Sequence, residues 1–193
     1  MSAPRLVVLA GPNGAGKTTT APSILRDALS VREFVNADTI AQGLSAFDVD
    51  AAAIRAGRIM LDRIHELARE RADFAFETTL ASRSFAPWIS HLVGEGYQFQ
   101  LVFLWLASSE MAIARVAEQV RGGGHSVRED VVRRRYARGL RNFFSLYRPL
   151  ADSWQALDNS EHEPLRQIAN GTRMGDDEVS DERLWKRLVD EWS

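Results

Sequence analysis

Residues 5–18 read RLVVLAGPNGAGKT, and this stretch constrains the fold more than any other part of the chain. Leu6 to Ala10 is a short apolar run, as expected of a strand buried on both faces of a parallel sheet. Gly11-Pro12-Asn13-Gly14-Ala15-Gly16-Lys17-Thr18 then fills every fixed position of the pattern G-x-x-x-x-G-K-[ST]. Glycines at 11, 14 and 16 let the backbone fold back and aim successive N–H groups at one point. The helix that must follow directs its positive N-terminal end at the same point. Residues Gly11 to Thr19 are therefore expected to cradle a polyphosphate. In that arrangement Lys17 reaches the terminal phosphate oxygens and the Thr18 hydroxyl ligates Mg2+.

Composition sharpens one position. The chain has 22 arginines and two lysines, Lys17 and Lys186. Lysine at 17 therefore points to a site that needs a compact ammonium and not a planar guanidinium fork. A length of 193 residues with 45% hydrophobic content suits one domain with a full core. The formal net charge of −2 supplies no global basic field, so nucleic acid is not an expected partner. There is no cysteine, which excludes a disulfide framework and a thiolate metal site. No apolar run approaches the roughly 18 residues of a membrane span. The N-terminus lacks the pattern of a signal peptide. The expectation is a cytoplasmic protein without a membrane partner.

Strands alternate with helices along the chain. Strands are predicted over 6–10, 33–36, 74–77, 97–106, 154–158 and 165–169. Helices are expected from the glycine-rich loop to about Ala28, from Asp48 or Asp50 to about Arg71, and over 84–93. Two more run from Ser108 or Ser109 to about Val120 and over 129–147. Pro22 removes a hydrogen bond in the second turn of the first helix and crowds Thr18, which predicts a distortion there. Ile54, Leu61, Ile64 and Ala68 are expected to share one face of the long helix. On the helix over 129–147, Val132, Tyr136, Leu140, Phe143, Tyr147 and Leu150 oppose Arg134, Arg138 and Arg141. The tryptophans read as packing residues. The pattern predicts a three-layer α/β fold of the P-loop NTPase/kinase type with a central, mainly parallel sheet. The kinase-like domain would occupy residues 1–172, with an arginine-rich lid at about 115–130. Residues 173–193 read as a polar extension with a short helix.

In such sheets ligands gather at the carboxyl ends of the strands. Asp38 follows the second strand, 21 residues beyond Lys17, where a carboxylate can take the proton of an attacking hydroxyl. The same residue fits a helix N-cap. Glu77-Thr78-Thr79 follows the third strand. An acid there orders Mg2+ through water or holds a substrate hydroxyl, and it also suits a turn. Arg83 either clamps a substrate phosphate or is an ordinary surface arginine. Segment 115–148 carries nine arginines against Glu118, Glu129 and Asp130. Phosphoryl transfer needs positive charge over the moving group, and a mobile lid supplies it. Gly122-Gly123-Gly124 is a candidate hinge, and Arg115, Arg121, His125 and Arg128 are placed to act from it. Asp158-Asn159-Ser160 contacts a nucleobase or forms a turn.

Taken in order, AGPNGAGKTT, FVNADTIAQGLS, DFAFETTLASR, GGGHSVRE with RRRYARGLRNF, and LDNS resemble the zeta toxin family of P-loop kinases, in its small stand-alone bacterial branch. The resemblance covers roughly residues 5–170. It implies ATP and Mg2+ as cofactors and transfer of phosphate to a hydroxyl of a small-molecule acceptor. In toxin members that acceptor is the 3′-hydroxyl of UDP-N-acetylglucosamine. It further implies Asp38 as general base and Glu77 and Thr79 as holders of the sugar nucleotide. Arg115 resembles the family arginine on the helix before the lid. The second family arginine falls where this chain reads Gly-Gly-His-Ser-Val, leaving His125, Arg121 or Arg128 to serve. An antitoxin partner is implied by resemblance alone. Two other readings stay open, a nucleotide or nucleoside kinase and a P-loop ATPase acting as a switch or binding module. Neither lysine lies in an N-K-x-D guanine motif, and there is no Leu-Ser-Gly-Gly signature.

Overall fold

The computed structural model describes residues 3–45, 49–122, 126–161 and 164–193. Seven strands form one sheet in the order β2-β3-β1-β4-β5-β6-β7. The parallel part comprises β2 (Glu33–Val35), β3 (Phe74–Thr78), β1 (Arg5–Ala10), β4 (Gln98–Trp105) and β5 (Ser153–Asp158). Strands β6 (Arg166–Thr172) and β7 (Glu178–Val179) add antiparallel at one edge. Strand β1 lies centrally, and Leu6 to Ala10 are fully buried. This explains why it reads as a continuous apolar run and not as an alternation. The three-layer α/β expectation is met, with helices packed on both faces of a mostly parallel sheet.

The glycine-rich loop leads from β1 into α1 (Lys17–Ala21). The helix then widens into a π-helical stretch over Pro22–Ala28. Pro22 has no N–H to give, and the ring displaces the preceding carbonyls, so the distortion falls where the sequence places it. Helix α2 (Ala37–Leu44) follows β2, and α3 (Val49–Arg69) precedes β3. Asp48 lies outside the described residues. The buried face of α3 is Ala52, Ala56, Met60, Ile64 and Leu67. Ile54 and Leu61 are instead exposed, Ile54 by 74%. Ile64 is buried and Ala68 half-buried as expected, while the N-terminal part of the face is carried by Ala52 and Ala56, which a search for large apolar residues passes over.

Helix α4 (Phe85–Gly94) covers β3, and α5 (Ser109–Arg121) follows β4, capped by the Ser108 hydroxyl that accepts from the Met111 amide. Helix α6 (Glu129–Asn142) continues as a π-helical turn over Phe143–Tyr147. Its Val132, Tyr136, Leu140, Phe143 and Tyr147 are buried, and Arg134, Arg138 and Arg141 are exposed, whereas Leu150 lies beyond the helix in a 3-10 turn and is half-buried. At the C-terminus α7 (Glu182–Trp192) lays Trp185 flat against Trp154, with ring centres 5.2 Å apart and planes at 15°. Among the described residues no helix is long and apolar enough to cross a membrane.

Candidate active site

Sheet register brings four strand ends to one edge. Val35 pairs with Phe76, Ala10 with Thr78, and Ala10 with Phe103. The residues at or just beyond these ends, Gly11, Asn36, Glu77 and Thr79, therefore meet where parallel-sheet ligands bind. Gly16 takes a left-handed φ of 77°, and a side chain there would strike the Asn159 amide. Lys17 is 6% exposed and donates to the carbonyls of Gly11 and Pro12, each at 2.9 Å. Its ammonium also lies 3.7 Å from Glu77. Burial pushes the Lys17 pKa down from its ordinary value, while Glu77 and Asp38 pull it back up. Two of its three N–H donors are spent on the loop, and the third faces the Glu77 carboxylate.

Glu77 accepts from the Thr18 hydroxyl at 3.0 Å and from the Asn36 amide nitrogen at 2.7 Å. Asn36, and not Asp38, caps α2: its side-chain oxygen accepts from the Asp38 and Thr39 amides. The capping alternative for Asp38 is thus removed, and Asp38, in the first turn of α2, lines the same cavity as Lys17, Thr18, Glu77 and Thr79. The volume of this cavity is about 190 Å³.

Arg135 of α6 also lines this cavity. Nothing in its residue type marks it out from the arginines beside it. Its charge acts on Lys17 and helps to lower that pKa. The helix can come this close because Gly139 rests on the Thr79 carbonyl, where a methyl group would collide. One turn on, Asn142 donates to the Leu80 carbonyl at 2.7 Å. Arg135, Gly139 and Asn142 stand at i, i+4 and i+7, so one stripe of α6 faces the turn after β3. That spacing was the available signal.

A second cavity, of about 560 Å³, opens on the other side of the loop between Thr19, Gln119, Asn159 and Leu165. Arg115 lies here. It donates to the carbonyls of Asn159 at 2.7 Å and Ser160 at 2.8 Å. Asn159 is buried and donates to the Ala15 carbonyl at 2.8 Å. Asp158 anchors the turn from below through Arg166 at 2.6 Å and the Ser160 amide at 2.8 Å.

The remaining sequence candidates lie apart. Arg83 is exposed and lines neither cavity. Arg121 is exposed at the end of α5, and Arg128 pairs with Asp130 at 2.9 Å. His125, with Gly123 and Gly124 of the candidate hinge, lies outside the described residues.

The donor set fits a polyphosphate with a hard cation. A buried ammonium and the glycine loop offer donors, and Thr18, Asp38 and Glu77 offer oxygens beside them. Among the described residues no group of three or more His, Cys, Asp or Glu side chains could hold an ion alone. A metal here would thus depend on phosphate oxygens and water, as Mg2+ commonly does.

A family model described as an AAA domain matches residues 6–146. A relative from Haemophilus influenzae, known only as an uncharacterized protein, is 28% identical over 132 residues, 68% of this chain and 92% of its own length. Among solved structures the chain is similar to one of the AvrRxo1-ORF1:AvrRxo1-ORF2 complex with sulphate ions, with a TM-score of 0.76, 15% identity, and 96% and 63% of the two chains covered. The same complex has been solved with ATP, where the match has a TM-score of 0.72, 15% identity, and covers 97% and 64%. This chain thus spans just under two thirds of those chains' length. It is also similar to a chain of the PezAT chromosomal toxin–antitoxin system of Streptococcus pneumoniae, with a TM-score of 0.66, 15% identity, and 100% and 81% covered. At that identity the structural matches establish the fold alone. With the family model spanning the loop, Asp38, Glu77 and Arg135, the chain belongs to the AAA domain family of P-loop proteins.

Proposed function

We propose that this chain is an ATP- and Mg2+-dependent kinase that transfers the γ-phosphate to a hydroxyl of a small molecule, with a sugar nucleotide such as UDP-N-acetylglucosamine as the first acceptor to try. The observation that carries the reading is the convergence of Lys17, Thr18, Asp38, Glu77 and Arg135 on one cavity. The ATP complex of the similar AvrRxo1 structure supports the nucleotide, and the PezAT similarity supports a toxin-like role with an antitoxin partner. Such substrates belong to the cytoplasm, and the reading puts the chain there.

Each residue then has a task. Gly11 to Thr19 wrap the phosphates, and Lys17 donates the N–H that now faces Glu77 to their oxygens. Thr18 would offer a hydroxyl oxygen to Mg2+, which would supply charge neutralisation for the phosphates. Asp38 takes the proton of the acceptor hydroxyl as its oxygen bonds to the γ-phosphorus. The bond from that phosphorus to the β,γ-bridging oxygen breaks, and ADP leaves. Arg135 faces the moving phosphoryl group and offsets its charge. Arg115 and Asn159 shape the cavity for the base and ribose. Glu77 and Thr79 present acceptors to the substrate hydroxyls.

The test is acceptor-dependent ADP release with Mg-ATP over amino-sugar nucleotides, nucleosides and nucleoside monophosphates. Turnover with UDP-N-acetylglucosamine that vanishes in Lys17→Ala supports the full reading. Turnover with a nucleoside keeps the kinase and replaces the acceptor. ATP binding without transfer to any acceptor overturns it in favour of a switch.

A further inference from the structure

Asn36 sits at the turn between β2 and α2 and is 4% exposed. Its oxygen accepts from the amides of Asp38 at 2.7 Å and Thr39 at 3.2 Å. Both partners can only donate, so the orientation of the amide is fixed. Its nitrogen must then face the other way, toward Glu77 at 2.7 Å and the Thr18 hydroxyl oxygen at 3.2 Å. Thr18 in turn donates to the same Glu77 oxygen at 3.0 Å. The three side chains close a ring of hydrogen bonds.

We infer that Asn36 is a positioning residue that couples the Thr18 hydroxyl, at the metal end of the site, to the helix start that carries Asp38. The inference rests on the kinase reading above. In the ring the Thr18 proton points at Glu77, and one lone pair of its oxygen is taken by Asn36. The second lone pair is the one left for a cation. Capping alone does not call for asparagine, because serine, threonine or aspartate caps as well. The distinguishing feature of asparagine is a donor on the far side of its acceptor. Here that donor meets a carboxylate. Aspartate at this place would set a second negative charge against Glu77.

Two substitutions separate the two halves of the side chain. Asn36→Ser keeps a capping oxygen but is too short to reach Glu77, and Asn36→Ala removes both functions. Three quantities are read: hydrogen exchange of the Asp38 and Thr39 amides in the protein free of metal and nucleotide, ADP affinity by calorimetry with Mg2+ and with EDTA, and kcat against KM. Asn36→Ser is expected to keep amide protection and ADP affinity in EDTA. Its gain in ADP affinity on adding Mg2+ should fall by about tenfold, the usual scale for partners behind a metal ligand. Its kcat should fall by a similar factor with acceptor KM little changed. Asn36→Ala should in addition exchange both amides about tenfold faster, as a lost cap implies. Wild-type Mg2+ dependence and kcat in Asn36→Ser overturn the inference. So does a loss confined to thermal stability. If the wild-type protein binds Mg-ADP but phosphorylates nothing, the kinase reading fails. The exchange and Mg2+ measurements still decide whether Asn36 couples the two ends.

Discussion

Asn159 donates to the carbonyl oxygen of Ala15 across 2.8 Å and so ties the turn after β5 to the glycine-rich loop. Arg115 holds the same turn from α5 through the carbonyls of Asn159 and Ser160. The arrangement makes both residues builders of the second cavity. Asn159→Ala and Arg115→Ala should each raise the ADP dissociation constant by about tenfold, the worth of one lost hydrogen bond of about 1.4 kcal/mol. Their kcat should stay within a few fold of wild type. Titration with ADP and steady-state kinetics check this. A collapse of kcat in Arg115→Ala with intact ADP affinity would put Arg115 on the transferring phosphate instead.

Gly139 lies inside α6, where alanine would ordinarily stabilise a helix by up to about 1 kcal/mol. Here a methyl group would collide with the Thr79 carbonyl. Gly139→Ala should therefore reverse the sign and destabilise by about 1–3 kcal/mol, the cost of overpacking. Urea unfolding measures it. Because α6 would be pushed off the turn after β3, acceptor KM should rise as well.

Alkaline pH should unfold the protein through two tyrosines. Tyr136 donates to the Leu106 carbonyl at 2.7 Å and Tyr147 to the Ser82 carbonyl at 2.6 Å. Burial pushes both phenols from an ordinary value of 10.0 up to about 12. Between those values the unfolded chain releases protons that the folded chain keeps, so stability falls as pH rises. Each tyrosine accounts for up to about 2–3 kcal/mol of that loss. Denaturation midpoints from pH 9 to 12 should drop steeply in the wild type. Tyr136→Phe and Tyr147→Phe should start lower at pH 9 and fall less. A flat wild-type profile would show that the phenols ionise in place.

Much of this molecule is legible before any coordinates. The run at Leu6–Ala10, the loop at 11–18 and the Pro22 distortion follow from local chemistry. Other features required the tertiary context. The first turns of the buried face of α3 are written in Ala52 and Ala56, whose small side chains carry little periodic signal. Strand β7 is two exposed residues, Glu178 and Val179, paired only because β6 is beside them. Asn36 and Asp38 are both good caps in sequence, and only the direction of the chain leaving β2 decides between them. Arg115 stands out in the sequence by its place before the candidate lid, while Arg135 is one letter in an arginine-rich run. One is held by two carbonyls beside the second cavity, and the other is brought to the loop by Gly139.

Arg135 is where that difference becomes measurable. It lines the cavity with Asp38 and Glu77, and its charge reaches the buried Lys17. A cation in that place binds the ground state weakly and matters most as charge builds on the moving phosphoryl group. Arg135→Ala should therefore cut kcat by about 100-fold or more while the ADP dissociation constant changes only a few fold. Arg135→Lys should recover part of the rate, since charge is restored without the planar fork. Asp38→Asn should abolish transfer by a separate route, loss of the proton acceptor, and leave ADP binding near wild type. Arg128→Ala, whose arginine is 82% exposed and paired with Asp130, serves as the surface control and should keep wild-type kcat. Should Arg128→Ala lose the rate and Arg135→Ala keep it, the cation that acts on the phosphate comes from the lid and not from α6.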